Sequence, residues 1–400
     1  MYFPERRYGV WPAEVLMIRD KIRPFIPSLC HCINDTGQGS IAALLPLFIN
    51  MLGLSYYEAA TVMLANTMCA SVVQPVFGYL ADKVKLPFLA PLGVLMVTIS
   101  ISLMGTTASS YEAVLLLALF SGIGSAIFHP EGALLVNRMT GPAKGRAMGF
   151  FAVGGNLGFA VGPMIASLAY TLGRQCLWLY AILGVIATLL YTWCFILSRS
   201  EEAEGKKKET KEGAENDWKS FGKLFFLILA RSVSFACLNT FIPLFWISQL
   251  GKTAGEGNMA LSFFFAIGAC LTYCGGALSD RVGYVHMIRY SLMILIPGLI
   301  LFILSGTPIL SYILMLPVAF GVFAMYGPTI VLGQTYLAKN VGFSSGITLG
   351  IGITIGGAMA PMVGKIGDIY GLQVGLATLI PIALLALFVT FLLKEKKKEE

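Results

Sequence analysis

Twelve stretches of roughly twenty predominantly apolar residues run through this chain, each long enough to cross the ~30 Å hydrocarbon core of a bilayer. They lie at 25–50, 56–80, 86–106, 111–137, 145–171, 176–197, 221–249, 257–279, 285–305, 309–337, 343–368 and 373–393. No water reaches peptide groups inside a bilayer, so each stretch is expected to be a helix that satisfies its own backbone. Composition excludes two or three soluble domains in 400 residues. Hydrophobic residues make up 56% and charged residues 12%, roughly half the charge that a soluble surface carries. The 44 glycines and 18 prolines suit membrane helices that pack closely.

The net charge of +7 does not point to nucleic acid, because the basic residues sit in short loops between apolar stretches. Their distribution orients the chain. Twenty-four of the 28 Lys and Arg fall on the side shared by both termini. Arg174, Lys252 and Lys365 fall on the other, and Arg231 lies inside the seventh span. Both termini are therefore expected in the cytosol, and the lipid bilayer of a prokaryotic inner membrane is the expected surrounding. The first residues carry Arg6, Arg7, Arg19, Lys21 and Arg23 without an apolar core, so no cleaved signal is expected. Residues 10–22 read as a surface helix or a plain tail. The eight cysteines are scattered and imply no disulfide framework. In Cys30-His31-Cys32 the two thiols would point about 200° apart on a helix, so no metal site is expected.

The organisation that follows has five parts: an N-terminal cytosolic segment (1–24), a six-helix bundle (25–198), a Lys/Glu/Gly-rich linker (199–220), a second bundle (221–394) and a short tail (395–400). The bundles repeat. An offset of 198 residues carries Gly78 to Gly276, Asp82 to Asp280, Lys83 to Arg281, Pro130 to Pro328, Gly154 to Gly352, Gly158 to Gly356 and Pro163 to Pro361. A duplication of six helices accounts for one register across several helices, and such halves are known in one large transporter architecture.

Gly78-Tyr-Leu-Ala-Asp82-Lys83, with Gly276-Ala-Leu-Ser-Asp280-Arg281-Val-Gly283 as its echo, resembles the signature loop of the major facilitator superfamily. Val84-Lys85-Leu86-Pro87 departs from the fullest form of that loop. His31-x-x-Asn34-Asp35-x-x-Gln38, Phe128-His129-Pro130-Glu131 and Gly154-Gly155-Asn156-x-Gly158-x-x-x-Gly162-Pro163 resemble the fosmidomycin-resistance branch. The resemblance implies an all-α membrane fold of twelve helices in two pseudo-symmetric bundles. It further implies a central cavity lined by helices one, four, seven and ten, and a link to a phosphonate drug.

Ionisable groups in a bilayer are costly unless paired or wetted, so each is a functional candidate. His31, Asn34, Asp35 and Gln38 recur at i, i+3, i+4 and i+7 and share one helix face. Asp35, His129 and Arg231 each lie about ten residues from a helix end, roughly 15 Å deep. Asp35, His129 and Glu131 are candidates for proton coupling, since a carboxylate balanced between desolvation and nearby positive charge can exchange a proton. Arg231 can neutralise Asp35, as a purely structural pair between helices one and seven, or receive an anionic substrate. His31, Asn34, Gln38, Asn239 and Gln334 are further substrate-contact candidates, the amides serving equally well as interhelical glue. Gln74-Pro75 and Pro46 are expected to kink their helices. Asp82, Lys83, Asp280 and Arg281 are gate candidates, and Gly154, Gly158, Gly162 and Pro163 would allow a close, movable helix contact.

No phosphate-cradling loop, cofactor or metal motif is present. Transport driven by an ion gradient is the leading expectation, as proton-coupled export of small drugs or anionic metabolites by a monomer. Proton-coupled uptake of an organic anion is the rival. An intramembrane enzyme using His129 and Glu131 is disfavoured by the paired halves, and a channel by the lack of a repeated filter.

Overall fold

The computed structural model describes residues 25–83, 88–139, 144–198, 215–340, 344, 347–348, 352–393 and 395, with 81–83, 137–139, 144–150 and 195–198 described by backbone alone. The first span is α1 (Phe25–Leu52), the second α2 (Tyr56–Val72) with α3 (Gln74–Lys83), and the third α4 (Leu89–Thr106). Next come α5 (Tyr111–Met139), α6 (Lys144–Thr171) and, after a 3₁₀ turn at Arg174–Leu177, α7 (Trp178–Ser198). The second half contains α8 (Trp218–Ser248), α9 (Ala254–Val282), α10 (Tyr284–Ile303), and α11 (Pro308–Phe323) with α12 (Tyr326–Tyr336). It ends with α13 (Gly352–Tyr370), and α14 (Leu372–Ala377) with α15 (Leu379–Thr390). The N-terminal segment, most of the linker and the start of the expected eleventh span lie outside the described residues.

Three spans are each split into two helices, and proline chemistry explains where. A proline cannot bond the carbonyl four residues back. Pro75 follows the break at Val73, Pro328 the break at Ala324–Met325, and Pro381 the break at Thr378. Pro46, by contrast, is carried inside α1.

Among the described residues, ten segments are long and apolar enough to cross a membrane by length and composition. The first and eleventh spans are not among them. Both are weakened by polar content, α1 by its His31–Gln38 stripe and α13 by its glycines, Lys365 and Asp368. The apolar side chains turned outward, such as Ile182, Val185, Ile186 and Leu189 on one stripe of α7, are the surface such a chain offers to lipid.

The duplication extends to local geometry. Gly53 and Gly251, 198 residues apart, adopt φ of 66° and 61°, and Gly173 and Gly371, also 198 apart, adopt 91° and 90°. Each sits in a turn where a side chain would be strained. Ser55 with Glu58 and Thr253 with Glu256 form capping boxes at the equivalent starts of α2 and α9, satisfying otherwise orphaned N–H groups.

Lipid gives helices little hydrophobic reason to associate, so close backbone approach does the work. α6 lies along α1 with Gly154, Gly158 and Gly162 against the carbonyls of Ser28, Cys32 and Thr36. α13 repeats this on α8, where Gly356 faces the Ser232 backbone. Between the halves, α2 packs on α13, α6 on α9, and α1 on both α8 and α9.

The side where α1 begins is the near face, and the opposite side is the far face. Tyr56 meets Phe241 with ring centroids 6.4 Å apart, and Phe159 meets Phe265 at 5.2 Å. These ring contacts, and the hydrogen bonds between halves, lie in the middle or far part of the bundle. Toward the near face no hydrogen bond or ring contact joins the halves among the described residues.

Substitution of Gly158 by Ala is expected to destabilise the protein by about 1–3 kcal/mol, because the added methyl meets α1 backbone rather than a movable side chain. Gly276→Ala, where nothing lies within 4 Å, should be neutral or stabilising by about 0.5–1 kcal/mol. Thermal unfolding midpoints in detergent check the contrast.

Candidate functional site

The polar stripe of α1 faces α5 and α6 rather than lipid. Asp35 is 4% exposed and Asn34 fully buried. The Asp35 carboxylate is met by three groups: His31 Nε2 is 3.1 Å from Oδ2, His129 Nε2 is 3.4 Å from Oδ1, and Asn34 Nδ2 donates to Oδ1 at 2.9 Å. Spacing of i, i+4 on α1 puts His31 one turn before Asp35, and α5 supplies His129.

The other nitrogen of each ring fixes the protonation pattern. His31 Nδ1 lies 2.7 Å from the Phe151 carbonyl of α6, and His129 Nδ1 lies 2.8 Å from the Ser125 carbonyl one turn earlier on α5. A carbonyl oxygen accepts and never donates, so both Nδ1 atoms carry hydrogen. Each Nε2 therefore faces Asp35 either as the second N–H of an imidazolium or as a bare lone pair. Two lone pairs set against an ionised carboxylate repel, so the arrangement calls for at least one proton shared among the three groups. With none it carries one negative charge, with one it is neutral, and with two it is positive. The donor atoms lie within 4.8 Å of one another, close enough for protons to pass among them. His129 is the open side of the cluster, its side chain 27% exposed against 6% for Asp35.

Supporting residues hold the rings still. The His31 ring stacks on Phe151 with centroids 4.0 Å apart and meets His129 edge-on at 5.0 Å. A Cβ at Gly155 would lie 2.6 Å from His31 Nε2 and 2.7 Å from Asp35 Oδ2, so Gly155 is the residue that leaves room for the cluster. Gln38 does not join it; its amide donates to the Ser121 carbonyl and hydroxyl of α5 at 3.2 and 3.0 Å. Glu131 is buried but outside the group. Two residues beyond His129, it projects about 200° away around the helix axis.

Arg231 is not Asp35's partner here. It is 7% exposed on α8, its Nε donates to the Val322 carbonyl at 2.9 Å, and its guanidinium lies over the Tyr326 ring at 4.4 Å and beside Phe235 at 5.8 Å. Among the described residues no carboxylate lies within ion-pair distance of it. A carbonyl and an aromatic face stabilise the cation without neutralising it.

Asn239, on the same helix, lines a cavity of about 30 Å³ between the halves, together with Ser232, Met63, Thr67 and Gly357. Asn239 Oδ1 and Ser232 Oγ both lack a hydrogen-bond partner. Gln334 is half-buried on α12.

Among the gate candidates, Gly154, Gly158 and Gly162 form the α1 contact described above, and Pro163 stays within α6. Asp280 and Arg281 are exposed at the near end of α9, where Asp280 Oδ1 accepts from the Tyr284 hydroxyl at 2.9 Å. Asp82 and Lys83 close α3, but their side chains lie outside the described residues. Sequence reasoning did not reach Phe151, Ser121 or Tyr326 as site residues. The first contributes a backbone carbonyl, which no residue type announces, and the others depend on which helices become neighbours.

Comparison with known proteins converges on this architecture. Residues 28–348 match the family model of the Major Facilitator Superfamily. The chain is 29% identical over 385 residues to an uncharacterized MFS-type transporter, YfnC, of Bacillus subtilis. It is 27% identical over 382 residues to the fosmidomycin resistance protein of Escherichia coli, and each alignment covers 93% of both chains. A solved bacterial homolog of the human lysosomal transporter Spinster superposes with a TM-score of 0.79 at 16% identity, covering 96% of this chain and 97% of that one. The nucleoside transporter NupG superposes at 0.76 and 14% identity, covering 93% and 99%. A twelve-span helical body, duplicated halves and a family match over most of the length lead to one conclusion: the chain belongs to the major facilitator superfamily and is a multi-pass membrane transporter, not an enzyme.

Proposed function

We propose that this transporter couples proton entry to the export of small drugs or anionic metabolites by alternating access, with His31, Asp35 and His129 as the proton-carrying group. The observation that carries the reading is the pair of histidines whose Nδ1 atoms are pinned to carbonyls while both Nε2 atoms converge on one buried carboxylate. Such a cluster changes charge by whole protons without moving a helix, and His129 gives it contact with water. Arg231 supplies a fixed positive charge in the other half, open to an anionic group because no carboxylate among the described residues occupies it. The unpartnered oxygens of Asn239 and Ser232 offer acceptors to a substrate's N–H or O–H between the halves.

The excess of Lys and Arg supports a cytosolic near face, so the side opposite the Tyr56–Phe241 contact would open to the cytosol. Relatives named as the fosmidomycin resistance protein and a multidrug resistance protein support export and drug-like cargo. The organism's inner membrane is the corresponding location, and a monomer is sufficient for the mechanism.

The coupling role is tested by Asp35→Asn in proteoliposomes with a pH-sensitive dye inside. Substrate exchange at equal pH should persist, while uphill transport driven by a proton gradient disappears; full proton-driven transport by the variant would refute the assignment. Gly155→Ala should impair the same driven step, because its methyl occupies the space of His31 Nε2. Wild-type coupling in a folded Gly155→Ala protein would show that the cluster's geometry is not required. Arg231→Ala is expected to weaken binding of a phosphonate antibiotic by about 10-fold or more, equivalent to about 1.4 kcal/mol, measured by calorimetry in detergent, with a neutral drug as the control.

A further inference from the structure

The only hydrogen bonds that cross between the halves among the described residues converge on one side chain. Asp368, in the last turn of α13, accepts from the Tyr56 backbone N–H through Oδ1 at 2.7 Å and from the Tyr57 backbone N–H through Oδ2 at 3.1 Å. Both donors belong to the first turn of α2, in the other half. The local capping box does not use them: Ser55 Oγ takes the Glu58 N–H, and Glu58 takes the Ser55 N–H. Asp368 therefore completes the cap of a helix to which it does not belong, placing its charge on the positive end of that helix's dipole.

Its own helix disfavours it there. A carboxylate two residues from the C-terminal end of α13, at Tyr370, sits against the negative end of that dipole. The contact with α2 is what compensates. The backbones are pressed together at the same level: a Cβ at Gly364 would lie 2.7 Å from the Tyr56 carbonyl oxygen, whereas at Gly357, nearer the middle of the bundle, the nearest α2 atom is 3.6 Å away.

The repeat shows that this contact belongs to one half alone among the described residues. The residue 198 positions before Asp368 is Tyr170, whose hydroxyl donates to the Ala43 carbonyl within its own half. At the equivalent start of α9, the Thr253–Glu256 capping box is present, but among the described residues no side chain from the first half joins it.

We infer that Asp368 is a latch that holds the far-face gate shut by capping α2 across the interface of the halves, and that its release accompanies opening of the transporter to that face. This rests on the alternating-access reading. The latch is exposed, so when α2 and α13 part, the two N–H groups and the carboxylate pass to water and leave nothing buried without a partner. A contact of that kind biases an equilibrium and does not lock it, which suits a gate that must cycle.

The test is a pair of distance measurements on the full-length protein in lipid nanodiscs, using genetically encoded spin-label residues. Leu172 and Ile309, both exposed at the far face of opposite halves, report the far gate, while Val76 and Leu278 report the near side. Asp368→Ala should raise the far-open to far-closed ratio by about 3- to 30-fold. The Val76–Leu278 distance should shorten in step, and Asp368→Asn, which keeps an acceptor but loses the charge, should fall between. A general loosening would widen the far pair without closing the near pair, and would overturn the latch. Two populations in wild type whose ratio Asp368→Ala leaves unchanged would also overturn it. One fixed far-face distance in wild type, with the proton gradient in either direction, would instead sink alternating access, and the latch with it.

Discussion

A carboxylate buried inside a membrane-helix bundle cannot be left to itself, and the contacts among α1, α5 and α6 are arranged around that requirement. Desolvating a lone charge costs several kcal/mol even after the protein relaxes. Asp35 meets the requirement with two imidazoles and an amide, drawn from α1 and α5. The rings in turn are oriented by carbonyls of α5 and α6. Three helices are therefore fixed relative to one another by the needs of one side chain.

The same seam carries the closest helix packing. Gly154, Gly158 and Gly162 bring α6 against the α1 backbone, and that proximity lets the Phe151 carbonyl reach His31 and leaves Gly155 beneath the Asp35 carboxylate. Packing and chemistry are coupled here. A larger residue anywhere along that glycine row would move α6 outward and lengthen the His31 contact even without touching it. In a membrane, where association relies on backbone proximity rather than on expelling water, this is an economical way to hold a polar group in register.

Much of the fold was legible in the residues. Apolar length set the spans to within a few residues of the observed helices, the start of the eleventh lying outside the described residues, and the 198-residue offset announced the duplication later seen in paired positive-φ glycines and capping boxes. Pro75 marked its break because a missing N–H acts locally. The polar stripe of α1 identified a buried face by periodicity alone. What periodicity could not supply was the choice of partner. Asp35 and Arg231 lie at similar depth and opposite charge, yet the structure pairs Asp35 with His31, one turn away on its own helix, and sets Arg231 on an aromatic face. Depth fixes a level in the bilayer, not a direction around a helix axis relative to neighbours that are distant in sequence. Asp368 escaped for the same reason: its partners are backbone groups 311 and 312 residues away.

The two halves, alike in backbone, have parted in chemistry. The first half holds two imidazoles around a carboxylate, and the second a guanidinium set on an aromatic face. On the proposed mechanism this division matters. Export driven by proton entry asks that the two loads travel on opposite strokes, so a cavity loaded with one must release it on the other face before taking the other. Coupling then needs no direct contact between proton and cargo. It requires that both groups see the same cavity and that water reach His129 from one face at a time, the condition that a gate closed on the far side would impose.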